Sequence, residues 1–455
     1  MQDGMELELL ERARIGVEAA LRAGADQAEV YASASRQVKV GFAKNDLDTI
    51  STARETTLGV RVFIDGRLGF ATTNRPEDLA QTAAEAVGLA RCSPPDPHNG
   101  LPAPQPVPVT GHLADPALVA LGPQDLARLG SELLAMVRGL RDPRLPDGQV
   151  TVDTMDLSLH DEARAVASST GVAQAHRGAL ASGSVFGMAL LDGQPGSFSY
   201  DGDAVRHPDQ LHPALDAAFR RFARHCLGAL GAGRGESFRG PILVPAEVVS
   251  DLLVGNLVEA LSADAVRQGT SPFAGRLGER IAVPGFTLVE GGAGLPGQPL
   301  CPFDREGLPR QRVALVQDGV LAGFLYDAYE ARHAGTRSTG HAGGGASSLP
   351  SVSAACLSLA PGDAAVDALR QMDRGVIVTR FSGTVDATSG DFSGVVKGGF
   401  LVEHGEARPI QETTLAGNLW KALHQISAMS AETSLFFGTQ RYPALRIEDI
   451  SVTAG

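Results

Sequence analysis

Residues 241–284 read PILVPAEVVSDLLVGNLVEALSADAVRQGTSPFAGRLGERIAVP. The spacing in the middle of this run predicts an amphipathic helix. Val248, Val249, Leu252, Leu253, Leu257 and Leu261 recur every three or four residues and so make one buried face. Pro245 stands near the start, where a missing N–H costs little. Gly269 closes the segment. The run that follows, Gly269-Thr270-Ser271-Pro272-Phe273-Ala274-Gly275-Arg276-Leu277-Gly278-Glu279, is loop-like yet too patterned for an arbitrary linker.

Downstream of this helix the pattern is mainly β. Residues 313–324 form a hairpin about Asp318-Gly319, residues 400–408 form another, and residues 376–379 make a short buried strand. A helix is expected over residues 419–429, then a closing alternating strand over 445–452. Upstream, the glycine-rich residues 228–235 mark the cleanest domain boundary. Helices at 6–23 and 76–90 flank strands at 28–34, 38–43, 58–64 and 68–72, with Asp65-Gly66 as a hairpin turn. Within them Gly59, Gly66 and Gly69 read as turn or bulge positions, and Arg61 alternates outward from Val60 and Val62. A proline-rich stretch precedes a helix at 123–138, strands at 149–159 and 163–169, and a helix at 213–227. The fold class is α+β, with an N-terminal region of helices and antiparallel strands before a mainly β C-terminal domain that embeds the 241–284 helix. The expected divisions are an N-terminal domain at 1–92, a connector at 93–122, a middle α+β region at 123–230 and a C-terminal domain at 236–455.

Composition sets outer bounds. A chain of 455 residues exceeds one ordinary core, so two or three domains are expected. A hydrophobic content of 43% is that of a folded globular protein. The formal net charge of -13 argues against a nucleic-acid surface, which needs clustered Lys and Arg. Cys92, Cys226, Cys301 and Cys356 lie far apart without a CxxC pair, which excludes a zinc ribbon and fits a reducing cytoplasmic compartment. The N-terminal residues read as an acidic helix rather than a signal peptide, and nothing approaches the ~18–20 apolar residues of a membrane span. A soluble, cytoplasmic protein without nucleic-acid or membrane partners is the expectation.

The helix followed by the Gly269–Glu279 pattern resembles the TldD/PmbA metallopeptidase family. Residues 24–30 (GADQAEV), 58–62 (LGVRV) and 65–71 (DGRLGFA) resemble it as well. Residues 338–344 (STGHAGG), 388–394 (TSGDFSG), 412–419 (ETTLAGNL) and 445–447 (LRI) look like the PmbA, or TldE, side of the family. In the TldD branch this helix carries His-Glu-x-x-x-His, which binds zinc and supplies a general base. Aligned on Gly269-Thr270-Ser271, that window falls on Val254-Gly255-Asn256-Leu257-Val258-Glu259. Val254 and Glu259 stand at the histidine positions and Gly255 at the glutamate. A hydrolytic zinc site takes three protein ligands, and Val254 has no donor atom. The catalytic branch also has a cysteine ligand near its C-terminus, whereas Phe436-Phe437-Gly438-Thr439-Gln440 offers none.

The resemblance thus implies a catalytically silent PmbA/TldE-like subunit with no cofactor of its own. Its partner would be a TldD-like subunit holding the zinc, and the pair would take in unfolded peptides for proteolysis or for maturation of ribosomally made peptide antibiotics. Two alternatives stay open. One is a homodimer that binds peptides without cleaving them, in keeping with family names that speak of modulating DNA gyrase; the other is an independent hydrolase with a different site.

Other chemistry is poorly represented. Gly390-Asp391-Phe392-Ser393-Gly394 places its serine one position late for a nucleophile elbow. His225 and Cys226 are adjacent and point apart on a helix. His207 and His212, in HPDQLHP, are expected in a loop rather than on a ligating helix face. Backbone remains: a small-residue strand over 384–392 can pair with an extended peptide by main-chain hydrogen bonds. The peptide-binding candidates are Thr339, Gly340 and His341 in the glycine-rich run, and Gly390, Asp391, Phe392 and Ser393. No catalytic residue and no metal ligand is assigned.

Overall fold

Strands Gln27–Ala43, Asp46–Ile64, Gln149–Ser168 and Ala173–Leu191 are 17 to 20 residues long, so each reaches about 60 Å. The structure, a computed structural model, describes residues 4–108, 113–296 and 298–454. Gln27–Ala43 pairs antiparallel with Asp46–Ile64 on one side and with Gln149–Ser168 on the other. The sheet therefore runs unbroken across the proline-rich connector. Arg67–Thr73 closes one edge, and Ser199–Val205 pairs with Ala173–Leu191 at the other. Period-2 alternation puts Val30, Ala32, Val38, Val40 and Phe42 on one face. Helices Met5–Arg22 and Leu79–Cys92 bury one end of that face, and helices Pro123–Gly139 and Pro208–Gly228 bury the other.

The connector is held at its start. Asp96 N–H donates to the Gly66 carbonyl in the Asp65-Gly66 turn, and Arg332 of the C-terminal domain donates to the carbonyls of His98 and Gly100. Asp115 then caps the short helix Pro116–Val119 through the N–H groups of Ala117 and Leu118.

The C-terminal region is mainly β. Its sheet is built around Gln440–Ala454, which pairs with Phe238–Val244, Ile426–Phe436, Thr413–Asn418 and Leu357–Leu359. The 241–284 helix packs into the core of this domain. The α+β class, with helices and antiparallel strands before a mainly β half, is the observed one. Among the described residues no helix is long and apolar enough to cross a membrane.

Three expected elements are overturned. Only Leu419–Ala422 is helical where 419–429 was expected, because Ile426–Phe436 pairs with Gln440–Ala454 instead. The strand expected over 384–392 is a hairpin of Phe381–Val385 and Asp391–Val396. The Asp386 carboxylate accepts from the N–H groups of Thr388 and Ser389 and so folds the turn that Gly390, at φ +80°, completes. HPDQLHP is no loop: Pro208 opens a helix that runs to Gly228 and includes His212, with Pro213 inside it.

The two halves meet on the face of the N-terminal sheet that carries no helix. Arg61 Nη2 donates to Glu29 at 2.8 Å and to Glu306 at 2.9 Å, while Arg305 Nη1 donates to Glu29 at 2.8 Å. The Arg305 guanidinium lies 4.1 Å from the Tyr31 ring centre. Gly59 sits directly opposite Tyr31 in an unbroken strand register, so it is neither turn nor bulge. A Cβ there would fall 2.0 Å from the Ala346 carbonyl oxygen. Glycine lets the two halves touch.

Candidate functional site

Residues 246–260 form one continuous helix with a defect. Ala246–Val249 and Gly255–Ala260 are α-helical, and Ser250–Val254 between them is a π-turn closed by the Gly255 N–H on the Ser250 carbonyl. Such an insertion rotates the following face by one residue. Val248, Val249, Leu252, Leu253, Val254, Leu257 and Val258 are buried, whereas Asp251, Gly255 and Glu259 are exposed. The three positions aligned with the zinc motif are thus not one donor set. Val254 is buried in apolar core, Gly255 has no side chain, and Glu259 faces solvent. Zinc does not fit these residues. Among the described residues no group of three or more His, Cys, Asp or Glu is placed to hold a metal.

The solvent-facing start of this helix forms one wall of a cavity of about 170 Å³, whose other walls include Tyr200, Arg380, Phe437 and Tyr442, beside Glu247 and Asp251. The elements come from both halves of the chain. Tyr200 lies on the sheet-edge strand Ser199–Val205, and Phe437 lies at the turn after Ile426–Phe436. Phe437 adopts φ +51°, and its N–H donates to Asp203 Oδ1 at 2.9 Å, which ties that turn to the edge strand. Arg380 stacks 4.1 Å from the Phe198 ring centre and 4.8 Å from that of Tyr200. Its guanidinium thus presents a cation over two aromatic faces.

Burial governs the charges here. Enclosure of its carboxyl by the cavity walls lifts Asp251 above the usual carboxylate range, although the residue as a whole is exposed, against the opposing influence of Tyr200 and Arg380. Burial lowers the His225 imidazole despite Glu247 at 3.9 Å. It also pushes the Asp201 carboxyl up to about 6, against the pull of Arg221, whose guanidinium donates to both carboxyl oxygens. A folded-state pKa above the unfolded one gives stability that is complete below about pH 4 and is lost as pH rises through about 6. Asp201→Asn removes this dependence. The melting temperature of the variant relative to the parent is therefore expected to rise between about pH 4.5 and about pH 7.5. A flat or falling difference would make Asp201 an ordinary ionised partner of Arg221.

The residues singled out in the sequence lie elsewhere. His341 is fully buried: its Nε2 is 2.6 Å from Glu290 Oε2 and its Nδ1 is 2.9 Å from Thr339 Oγ1. Gly340 takes φ +72° where a Cβ would fall 2.0 Å from the Pro309 carbonyl oxygen. Gly390 packs under Trp420, and Phe392 is buried edge-to-face on Phe381. Asp391 and Ser393 are exposed, and Asp391 Oδ1 accepts from Asn418. Both backbone edges of Asp391–Val396 are in use, by Phe381–Val385 and Thr413–Asn418. Among the described residues Phe381–Val385 pairs on one side alone, and Ser382, Gly383 and Thr384 are exposed. That free edge begins one residue after Arg380, at the mouth of the cavity. An aromatic cavity with carboxylates and one guanidinium in its walls, beside an open strand edge, is suited to holding an extended peptide.

Two family models match the chain: the PmbA/TldA metallopeptidase C-terminal domain over residues 237–454 and the PmbA/TldA metallopeptidase domain 1 over residues 28–90. The chain belongs to the TldD/PmbA metallopeptidase family. The metalloprotease PmbA of Escherichia coli O157:H7 is 26% identical over 448 residues, covering 93% of this chain and 92% of the relative. A TldD homologue of Haemophilus influenzae is 28% identical and covers 47% and 48%. The TldE crystal structure from Thermococcus kodakarensis superposes with a TM-score of 0.87 at 22% identity, covering 97% of this chain and all of that one. That likeness establishes the shared TldD/PmbA fold. Tyr200, Asp251 and Arg380 went unnoticed in the sequence, and Phe437 reads there as part of a run without a cysteine rather than as a site residue. Only the Phe436–Gln440 run carried a signal there, as the place where the family's catalytic branch has its cysteine.

Proposed function

We propose that this chain is a PmbA/TldE-like subunit, silent in hydrolysis, that holds an extended peptide for cleavage by a zinc-bearing TldD-like partner. The observation that carries the reading is the helix window, where Val254 lies in the core and Gly255 and Glu259 supply no ligand set. Alignment to the PmbA-named relative over nine-tenths of both chains, against about half for the TldD-named one, supports the same branch. The peptide would lie along Phe381–Val385 with side chains against Tyr200 and Phe437. Main-chain pairing reads shape rather than sequence, which suits unfolded substrates for proteolysis or peptide maturation in the cytoplasm.

The test is the zinc content and peptide cleavage of the chain alone and with a TldD-like protein of the same genome. Alone, it is expected to hold no stoichiometric zinc and to leave an unstructured fluorogenic peptide intact. Together, the two should elute as one complex with chelator-sensitive cleavage. Stoichiometric zinc and chelator-sensitive cleavage by this chain alone would overturn the reading. An inert chain that elutes as a dimer of itself and ignores such a protein would favour the homodimeric peptide binder. The triple variant Val254→His, Gly255→Glu, Glu259→His is expected to remain inert, since a histidine at 254 enters apolar core and the third ligand is absent. Robust zinc-dependent cleavage by that variant would contradict this.

A further inference from the structure

A second cavity, of about 190 Å³, lies on the helix-free face of the N-terminal sheet, away from the peptide cleft. Its floor is two neighbouring strands. His160, Glu162 and Arg164 on Gln149–Ser168 stand opposite Leu180, Gly178 and His176 on Ala173–Leu191. Arg206, just past the edge strand, forms one wall, and Cys301 and Arg310 of the C-terminal half form another. Three guanidinium groups thus share one small cavity with a single carboxylate.

That carboxylate is already engaged. Glu162 is ion-paired with Arg164 and lies 3.8 Å from His160 Nε2. Arg206 and Arg310 have no ion pair among the described residues. Arg206 reaches only the Ala179 carbonyl, at 3.4 Å, and Arg310 donates to the Phe303 carbonyl at 3.2 Å. The most deeply buried arginines of this chain are matched to carboxylates, Arg61 and Arg305 to Glu29 and Arg177 to Asp161, whereas Arg206 and Arg310, like Arg332 and Arg380, are half-buried without one among the described residues. Leaving two unmatched beside a third is costly in a low-dielectric site unless an anion completes it. Burial and the neighbouring Arg164 both lower the Arg206 pKa, the direction expected of a cation without its counter-charge. Gly178 keeps the floor clear: a Cβ there would already touch Arg206 Nη1, at 3.7 Å.

We infer that this cavity binds a compact oxyanion, held by Arg206 and Arg310 with Arg164 behind them. Planar guanidinium forks suit the paired oxygens of a phosphate or of a carboxylate terminus. The site shares no lining residue with the peptide cleft, so it stands whether or not the proposed subunit role holds.

The test is calorimetric titration of the full chain, at constant ionic strength set with chloride, using inorganic phosphate, trialanine and trialanine amide. Saturable one-to-one binding is expected, weakened at least tenfold by Arg206→Gln and by Arg310→Gln, each first shown to keep the parent's circular dichroism and cooperative melt. Phosphate binding without trialanine binding identifies a free inorganic anion as the occupant. Binding of trialanine but not its amide identifies a carboxylate end. No saturable binding of any probe, or binding that both variants leave unchanged, overturns the inference.

Discussion

Replacing Arg61 by methionine is expected to lower the free energy of unfolding by about 3–5 kcal/mol, the scale for removing one partner of a buried ion pair. Arg61 is 5% exposed, and Glu29 and Glu306, which share it, are each 1% exposed. Burial alone would raise the Glu29 carboxyl, but Arg61 and Arg305 hold it below the usual carboxylate range. In the variant, Glu29 keeps Arg305, while Glu306 keeps only the Ala328 N–H. The quartet passes from two charges of each sign to a buried net negative charge. Chemical denaturation reads the loss directly. The double variant Arg61→Met, Glu306→Gln restores the balance and should recover a large part of it, giving a coupling well above that of distant sites. Losses that simply add would mean that the residues act independently and that the network does not hold the halves together.

This network also shows where the sequence stops speaking. Alternation of Val60, Arg61 and Val62 correctly places Arg61 on the face opposite the N-terminal helices. It cannot show that the C-terminal half covers that face, because Arg305 and Glu306 are remote in sequence. The glycines are a second instance. Gly66, at φ +71°, is legible as the hairpin turn after Asp65, whereas Gly59 is glycine because a distant carbonyl presses on it. Periodicity found the 246–260 helix and the hairpins, whose hydrophobic patterns are local. It failed at 419–429, where Leu419, Leu423 and Ile426 have helical spacing but the second half of the segment joins a strand. Pairing with Gln440–Ala454 outweighs local propensity there. The cleft was illegible for the same reason as the ion network. Tyr200, Asp251, Arg380 and Phe437 come from four separated segments, and apart from the Phe436–Gln440 run no short motif points to them.

Glu290→Ala is the second change expected to be severe, again about 3–5 kcal/mol. Glu290 is fully buried and accepts four hydrogen bonds, from His341 Nε2 and from the N–H groups of Gly292, Ala355 and Cys356. Alanine leaves all four donors facing apolar surroundings, and each unmade buried bond costs about 1–3 kcal/mol. Burial by itself would raise the Glu290 carboxyl, yet His341 and the backbone donors keep it below its ordinary value. The linkage therefore has the opposite sign to that of Asp201. Stability from Glu290 is complete above the ordinary glutamate pKa and is lost as pH falls through the depressed one. The deficit of Glu290→Gln relative to the parent should accordingly shrink as pH is lowered below about 4.3. This pair also decides what the STGHAGG run is for. If His341 acted on bound peptide, His341→Ala would weaken peptide binding in protein that remains folded. The buried geometry predicts instead that binding per folded molecule is unchanged while the denaturation midpoint falls, because the imidazole spends its Nε2 on Glu290 and its Nδ1 on Thr339.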